Sequence, residues 1–180
     1  MWLPPPGGRQ HNERVAWLAA LVVLLAVAWV VLLIAAPLLP AAAAAVTYAF
    51  GSLICHQIPE RSFHLGASQL PVCARCFGIY SGFALSATLS RLVLGSGPNA
   101  SNHWGLTPRQ ILITGALPTL VTVLAEWAGV WRTSNVTRAI AGAALGVAVA
   151  FVVLAALATL HYGECPPRPP QPRDPPPTPI

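Results

Sequence analysis

There is no lysine anywhere in this chain of 180 residues, and only five acidic side chains. Charged residues make up 8% of it, against 55% hydrophobic ones. So little polar side chain cannot solvate a water-soluble domain, and a mean hydropathy of +0.63 excludes one on the same ground. The formal charge of +5 is all arginine. The ten arginines are strung out from Arg9 to Arg173, with no basic stripe and no aromatic platform between them. That pattern excludes a nucleic-acid surface and fits loop and interface anchors. Cysteine is scarce too, at four, and fits either redox compartment. There is one C-x-x-C pair and no second, so a full paired C-x-x-C zinc module is absent.

What the chain has instead is apolar runs. Residues 1–14 read as a flexible, weakly basic tail. Val15 to Leu39 is nearly unbroken, and a helix of that length rises about 37 Å, enough to cross a bilayer with some tilt. It is longer than the 7–15 apolar residues of a typical signal peptide, which favours an uncleaved span. Pro37 and Pro40 end it. Ala41 to Ile54 is a shorter apolar segment that either slants across or dips in. Further spans are expected over Cys73–Leu94, Arg109–Trp127 with a kink at Pro118, and Arg138–His161. Gly78, Gly82, Gly142 and Gly146 give two of these the small residues that let helices approach closely. The expected fold is all-α, a polytopic helical membrane bundle of four to five transmembrane helices. The membrane domain occupies residues 15–163, and residues 164–180 form a disordered proline-rich tail carrying an incidental Cys165.

Two spans separate Cys73 from Asn135, so the Cys-His loop and the Glu126-to-Arg138 turn are expected on one face. A five-span count adds the N-terminus to that face. It then collects six arginines against four, a slight bias towards a cytoplasmic site.

The chemistry concentrates between Cys55 and Cys76. Three of the four cysteines and two of the five histidines lie there. Cys55, His56, Cys73 and Cys76 offer four soft ligands, which fits zinc best. Neighbouring side chains diverge, so His64 is an alternative to His56. A closed set of four ligands makes the metal structural. Three ligands and a water make a hydrolytic centre, with Glu126 as its candidate base. The same cysteines admit a second chemistry, since Cys73 and Cys76 begin a helix beside Arg75, where thiolates are favoured. That is the arrangement of a membrane thiol oxidoreductase. The third class is a non-enzymatic scaffold or transport accessory.

Glu126 is the only acid in the expected spans, and burial demands that it be paired; Arg75, Arg132 and Arg138 are within reach on the same face, with Arg75 or Arg138 preferred. Arg61, Arg75 and Arg138 also suit an anion, a lipid headgroup or a small molecule. Ser134 and Asn135 cap the last helix or donate to a ligand.

The string Cys55-His56-Gln57-x-Pro59-x-Arg61-Ser62-Phe63, followed by Pro71-Val72-Cys73-Ala74-Arg75-Cys76-x-Gly78-Ile79-Tyr80, resembles the core signature of a prokaryotic membrane family called domain of unknown function 2085. Glu126, Ser134, Asn135, Arg138 and Gly142 extend the likeness, although the acid is more often aspartate in that family and Phe77 replaces a small polar residue. The resemblance implies a multi-pass protein of the prokaryotic inner membrane with a Cys/His cluster. It implies no reaction.

Overall fold

The computed structural model describes residues 7–94 and 106–162. The expected proline-rich tail, Cys165 and most of the 95–108 loop lie outside them. Among the described residues there are five α-helices and one two-stranded sheet: α1 (Gly7–Ala35), α2 (Ala41–Ile54), β1 (Ser62–Leu65), β2 (Ser68–Cys73), α3 (Ala74–Leu94), α4 (Pro108–Trp127) and α5 (Asn135–Tyr162). Helix α1 starts at Gly7, eight residues ahead of the apolar run.

Among the described residues three helices are long and apolar enough to cross a membrane: Ala16–Leu38, Pro108–Trp127 and Asn135–Leu157. That is fewer than the four to five expected. Helix α2 has 14 residues and rises only about 21 Å, short of a hydrocarbon core of about 30 Å. Helix α3 has the length, 21 residues, but carries Arg75, Arg91, three serines and a threonine. It is the helix most enclosed by the others, with only Leu85, Leu89 and Leu92 well exposed among its described side chains. A helix walled in by protein presents little surface to lipid and needs less apolarity than its neighbours.

Close approach through small residues sets the directions of the helices. A side chain added at Gly78 would drive into the Ala139 carbonyl, and one at Gly142 into the Arg75 carbonyl. The matching contacts one turn on, Gly82 on Ala143 and Gly146 on Ile79, make α3 and α5 parallel. Helix α4 is antiparallel to α5: the Thr119 hydroxyl donates to the Ala141 carbonyl at 2.8 Å, and Gly115 lies against Ala148. Helix α1 is antiparallel to α3. Trp29 meets the Tyr80 ring edge-on at 6.1 Å, while Arg91 donates to the Ala16 carbonyl at 3.2 Å.

These directions correct one expectation. Because α2 is short and stays beside β2, the start of α1 lies at the end of the bundle away from the Cys-His loop. Arg9 and Arg14 therefore join Arg91 and Arg109 at the far end, leaving Arg61, Arg75, Arg132 and Arg138 at the near one. The six-to-four bias towards a cytoplasmic site disappears among the described residues. Exposed tryptophans mark both ends, Trp17 at one and Trp127 and Trp131 at the other, as suits interfacial rings.

The loop between α2 and α3 is more regular than its prolines and glycine promise. Strands β1 and β2 pair antiparallel with Ser62 opposite Cys73, His64 opposite Gln69 and Leu65 opposite Ser68, and an irregularity follows Ser62. Gly66, at φ +62°, makes the reversal. Pro71 is tolerated because a two-stranded ladder leaves each strand one free edge. A small buried core of Leu33, Cys55 and Val72 joins α1, the end of α2 and the hairpin.

Candidate metal centre and arginine cleft

Each cysteine comes from a different local feature. Cys55 closes α2, its N–H bonded to the Gly51 carbonyl at 2.9 Å. Cys73 ends β2, and Cys76 lies in the first turn of α3. The three sulfurs lie within 4.8 Å of one another, and all three thiols are free. Sulfurs about 2.3 Å from one tetrahedral zinc stand roughly 3.8 Å apart, so small rotamer changes suffice to close on an ion. The backbone N–H of Cys73 donates to the Cys55 sulfur at 3.2 Å, the outer contact that steadies a thiolate ligand. A hydrogen bond from the Cys76 side chain pulls the Cys73 thiol down to about 5. Burial opposes this shift, and the Cys76 backbone, the Cys55 side chain and the Arg75 backbone reinforce it.

His56 is exposed and stands outside the three-sulfur cluster, on the lining of the adjoining cleft. His64 is exposed on β1 and is not part of the cluster either. The loop leaves Cys55 in extended conformation and turns sharply at Gln57, at φ 49°. Gln57 is held there by donating to the carbonyls of Tyr48 at 2.7 Å and Pro71 at 2.8 Å. It fastens the loop to α2 and β2 at once. Sequence reasoning assigned Gln57 no role; its place beside Cys55-His56 was the available signal.

Beside the cysteines lies a cleft of about 240 Å³. Arg61, Arg75 and Arg138 give its lining positive charge, and Ile54, Ile58 and Ile79 give it apolar surface. Glu126, in the last turn of α4, sits behind the arginines. Its carboxylate accepts from Arg138 Nε at 2.8 Å and lies 3.6 Å from the Arg75 terminal nitrogen. Its side chain is 10% exposed and that of Arg138 11%. The carboxylate thus bridges Arg75 and Arg138, two of the three arginines that the sequence made available to it, while Arg132 is exposed. Arg75 also reaches the Thr122 hydroxyl at 3.5 Å. Thr122 lies one turn before Glu126, a buried polar residue that sequence reasoning passed over.

Asn135 ties the assembly to the hairpin. Its amide donates to the Ser62 carbonyl at 3.0 Å, and its oxygen accepts from Arg138 at 2.8 Å. The cysteine loop and the start of α5 are therefore at one end of the bundle. Ser134 faces its own helix, accepting from the Thr137 N–H at 3.1 Å, and does not line the cleft. Gly129, at φ +70°, ends α4 in a Schellman turn: its N–H bonds the Glu126 carbonyl and that of Val130 bonds Ala125. The turn is sharp enough to bring α5 back beside Glu126.

Fold and site together define a helical membrane bundle with a three-cysteine cluster at one end that is able to hold a metal ion. Residues 55–152, just over half of the chain, match the family model described as a predicted membrane protein (DUF2085). The chain belongs to that family. An uncharacterized protein of Methanocaldococcus jannaschii is 33% identical over 107 residues, covering 59% of this chain and 65% of its own. An uncharacterized protein of Methanothermobacter thermautotrophicus is 55% identical over 29 residues, 16% of this chain and 26% of its own. The chain thus spans less than two thirds of the length of either relative. No solved structure matches it.

Proposed function

We propose that this protein is a multi-pass membrane metalloprotein of the prokaryotic inner membrane, with zinc bound by Cys55, Cys73 and Cys76. The observation that carries this reading is the convergence of three free sulfurs from α2, β2 and α3 within 4.8 Å. The three cysteines do pack beside Leu33 and Val72, but alanine or valine would serve that packing as well, whereas a soft ion requires sulfur at all three positions. His56 stays outside the ligand set. Three thiolates leave one position of a tetrahedral ion for an exchangeable ligand, the arrangement of a reactive centre rather than of a closed structural one.

Glu126 is a positioning residue and not the base of a hydrolytic reaction. Both of its oxygens engage arginines, and it is absent from the cleft lining. Its work is to hold Arg75 and Arg138 at the cleft.

Metal analysis of protein purified anaerobically under reducing conditions tests the assignment. One zinc per chain, with Cys55, Cys73 and Cys76 protected from alkylation, is the expected result. Metal-free protein with a reversible Cys73–Cys76 disulfide would overturn it in favour of a thiol oxidoreductase.

A further inference from the structure

The cleft carries more positive charge than its surroundings neutralise. Three guanidinium groups line it, and the one carboxylate bonded to any of them among the described residues, Glu126, sits behind two. Against three guanidiniums that single carboxylate leaves the cleft with a surplus of positive charge. Arg75 Nε is moreover buried with no hydrogen-bond partner among the described residues. A buried donor left unmet costs free energy that a ligand recovers. The lining is also partly apolar: Ile54 and Ile58 are 46% and 38% exposed, and Ile79 lies one turn of α3 beyond Arg75. A small free ion has no use for such a surface. The cleft also opens at the end of the bundle marked by Trp127 and Trp131, the depth at which phospholipid headgroups lie.

We infer that the cleft is a phosphate-group site, in which Arg75, Arg138 and Arg61 hold a monoanionic phosphodiester and Ile54, Ile58 and Ile79 receive its apolar stem. Guanidinium forks match phosphate oxygens, and Glu126 and Asn135 fix the Arg138 fork before any ligand arrives. The site shares its cleft with the proposed metal centre but does not rest on it, because the arginines, the unpartnered Arg75 Nε and the isoleucines are placed by the fold alone.

The test uses full-length protein in a non-ionic detergent and measures binding of dihexanoylphosphatidylglycerol, dihexanoylphosphatidylcholine and inorganic phosphate. The anionic lipid should bind at least tenfold more tightly than the zwitterionic one. Arg75→Gln should weaken that binding at least tenfold, and it leaves the 2.8 Å Arg138–Glu126 contact in place. Arg61→Gln alters only an exposed side chain and serves as the variant certain to fold; it should weaken binding severalfold. Inorganic phosphate that binds as tightly as the anionic lipid identifies the same site as serving free phosphate and removes the apolar stem from the assignment. Equal binding of the two lipids, or no loss in either arginine variant, overturns the site. Zinc measured in the same samples keeps the two proposals apart: loss of lipid with retention of metal in Arg75→Gln is expected, and retention of lipid binding after chelation leaves this site standing if the metal assignment falls.

Discussion

Replacing Glu126 by glutamine should be among the costliest single-atom changes available in this chain. The carboxylate is 10% exposed and faces two guanidiniums, one at 2.8 Å and one at 3.6 Å. The amide keeps an acceptor oxygen for Arg138 but loses the charge, leaving two arginines clustered without compensation. Breaking a buried pair in this way costs about 3–5 kcal/mol, and the surviving acceptor sets the expectation for glutamine near about 3. For a chain of this size that is a fall in Tm of about 6–12 °C. The two partners should rank below it in a fixed order. Arg138→Gln leaves Glu126 with Arg75 alone, at the longer distance, and also frees the Asn135 oxygen. Arg75→Gln removes the 3.6 Å contact and the long 3.5 Å bond to Thr122 but keeps the 2.8 Å pair, and should cost about 1 kcal/mol. Thermal unfolding in detergent, followed by circular dichroism, measures all three. A Glu126→Gln variant within about 0.5 kcal/mol of wild type, or an Arg75→Gln variant as unstable as it, would refute the claim that this cluster holds three helix ends together.

Cys73→Ser and Cys76→Ser should each lose the bound zinc, whereas His56→Ala should retain it at full stoichiometry, as checked by elemental analysis. In chelated, reduced protein Cys73 should react with iodoacetamide at a rate that is level at neutral pH. As pH falls through about 5 that rate should drop about tenfold per unit, because the thiolate is the reacting form. Gly142→Val should separate α3 from α5 by driving a side chain into the Arg75 carbonyl, lowering Tm by more than any exposed substitution on α2. Labels placed at residue 13 and at residue 129 should be accessible from opposite sides of the membrane, and accessibility from the same side would contradict the antiparallel run of α1 and α3.

The helices were legible because a long apolar run has few alternatives. The pairing of Glu126 was legible for a related reason: a lone acid among spans must find a cation, and only arginines at its own depth qualify. The membership of the sulfur cluster was half legible. The C-x-x-C spacing presents Cys73 and Cys76 together, but whether Cys55 or His56 turns inward depends on the extended conformation at Cys55 and the reversal at Gln57. Those torsions come from side-chain bonds to Tyr48 and Pro71, which no local pattern encodes. The direction of α1 was not legible at all. It turns on α2 staying at one face, and the apolarity of a 14-residue segment does not say whether it crosses. The hairpin was hidden because Pro71 and Gly66 break regular structure in most contexts, while a two-stranded ribbon accommodates both.

The bridge through Glu126 also has a consequence for the order in which the protein is made. Arg75 leaves the ribosome 51 residues before the acid that balances it, and Arg138 follows that acid by 12. Helices α4 and α5 therefore emerge as a hairpin that brings its own counter-charge, while α3, the polar one, emerges with an arginine and nothing to offset it. Its settling into the bilayer is tied to the arrival of the two helices after it, so the least apolar helix of the bundle depends for its place on chain not yet synthesised when it appears.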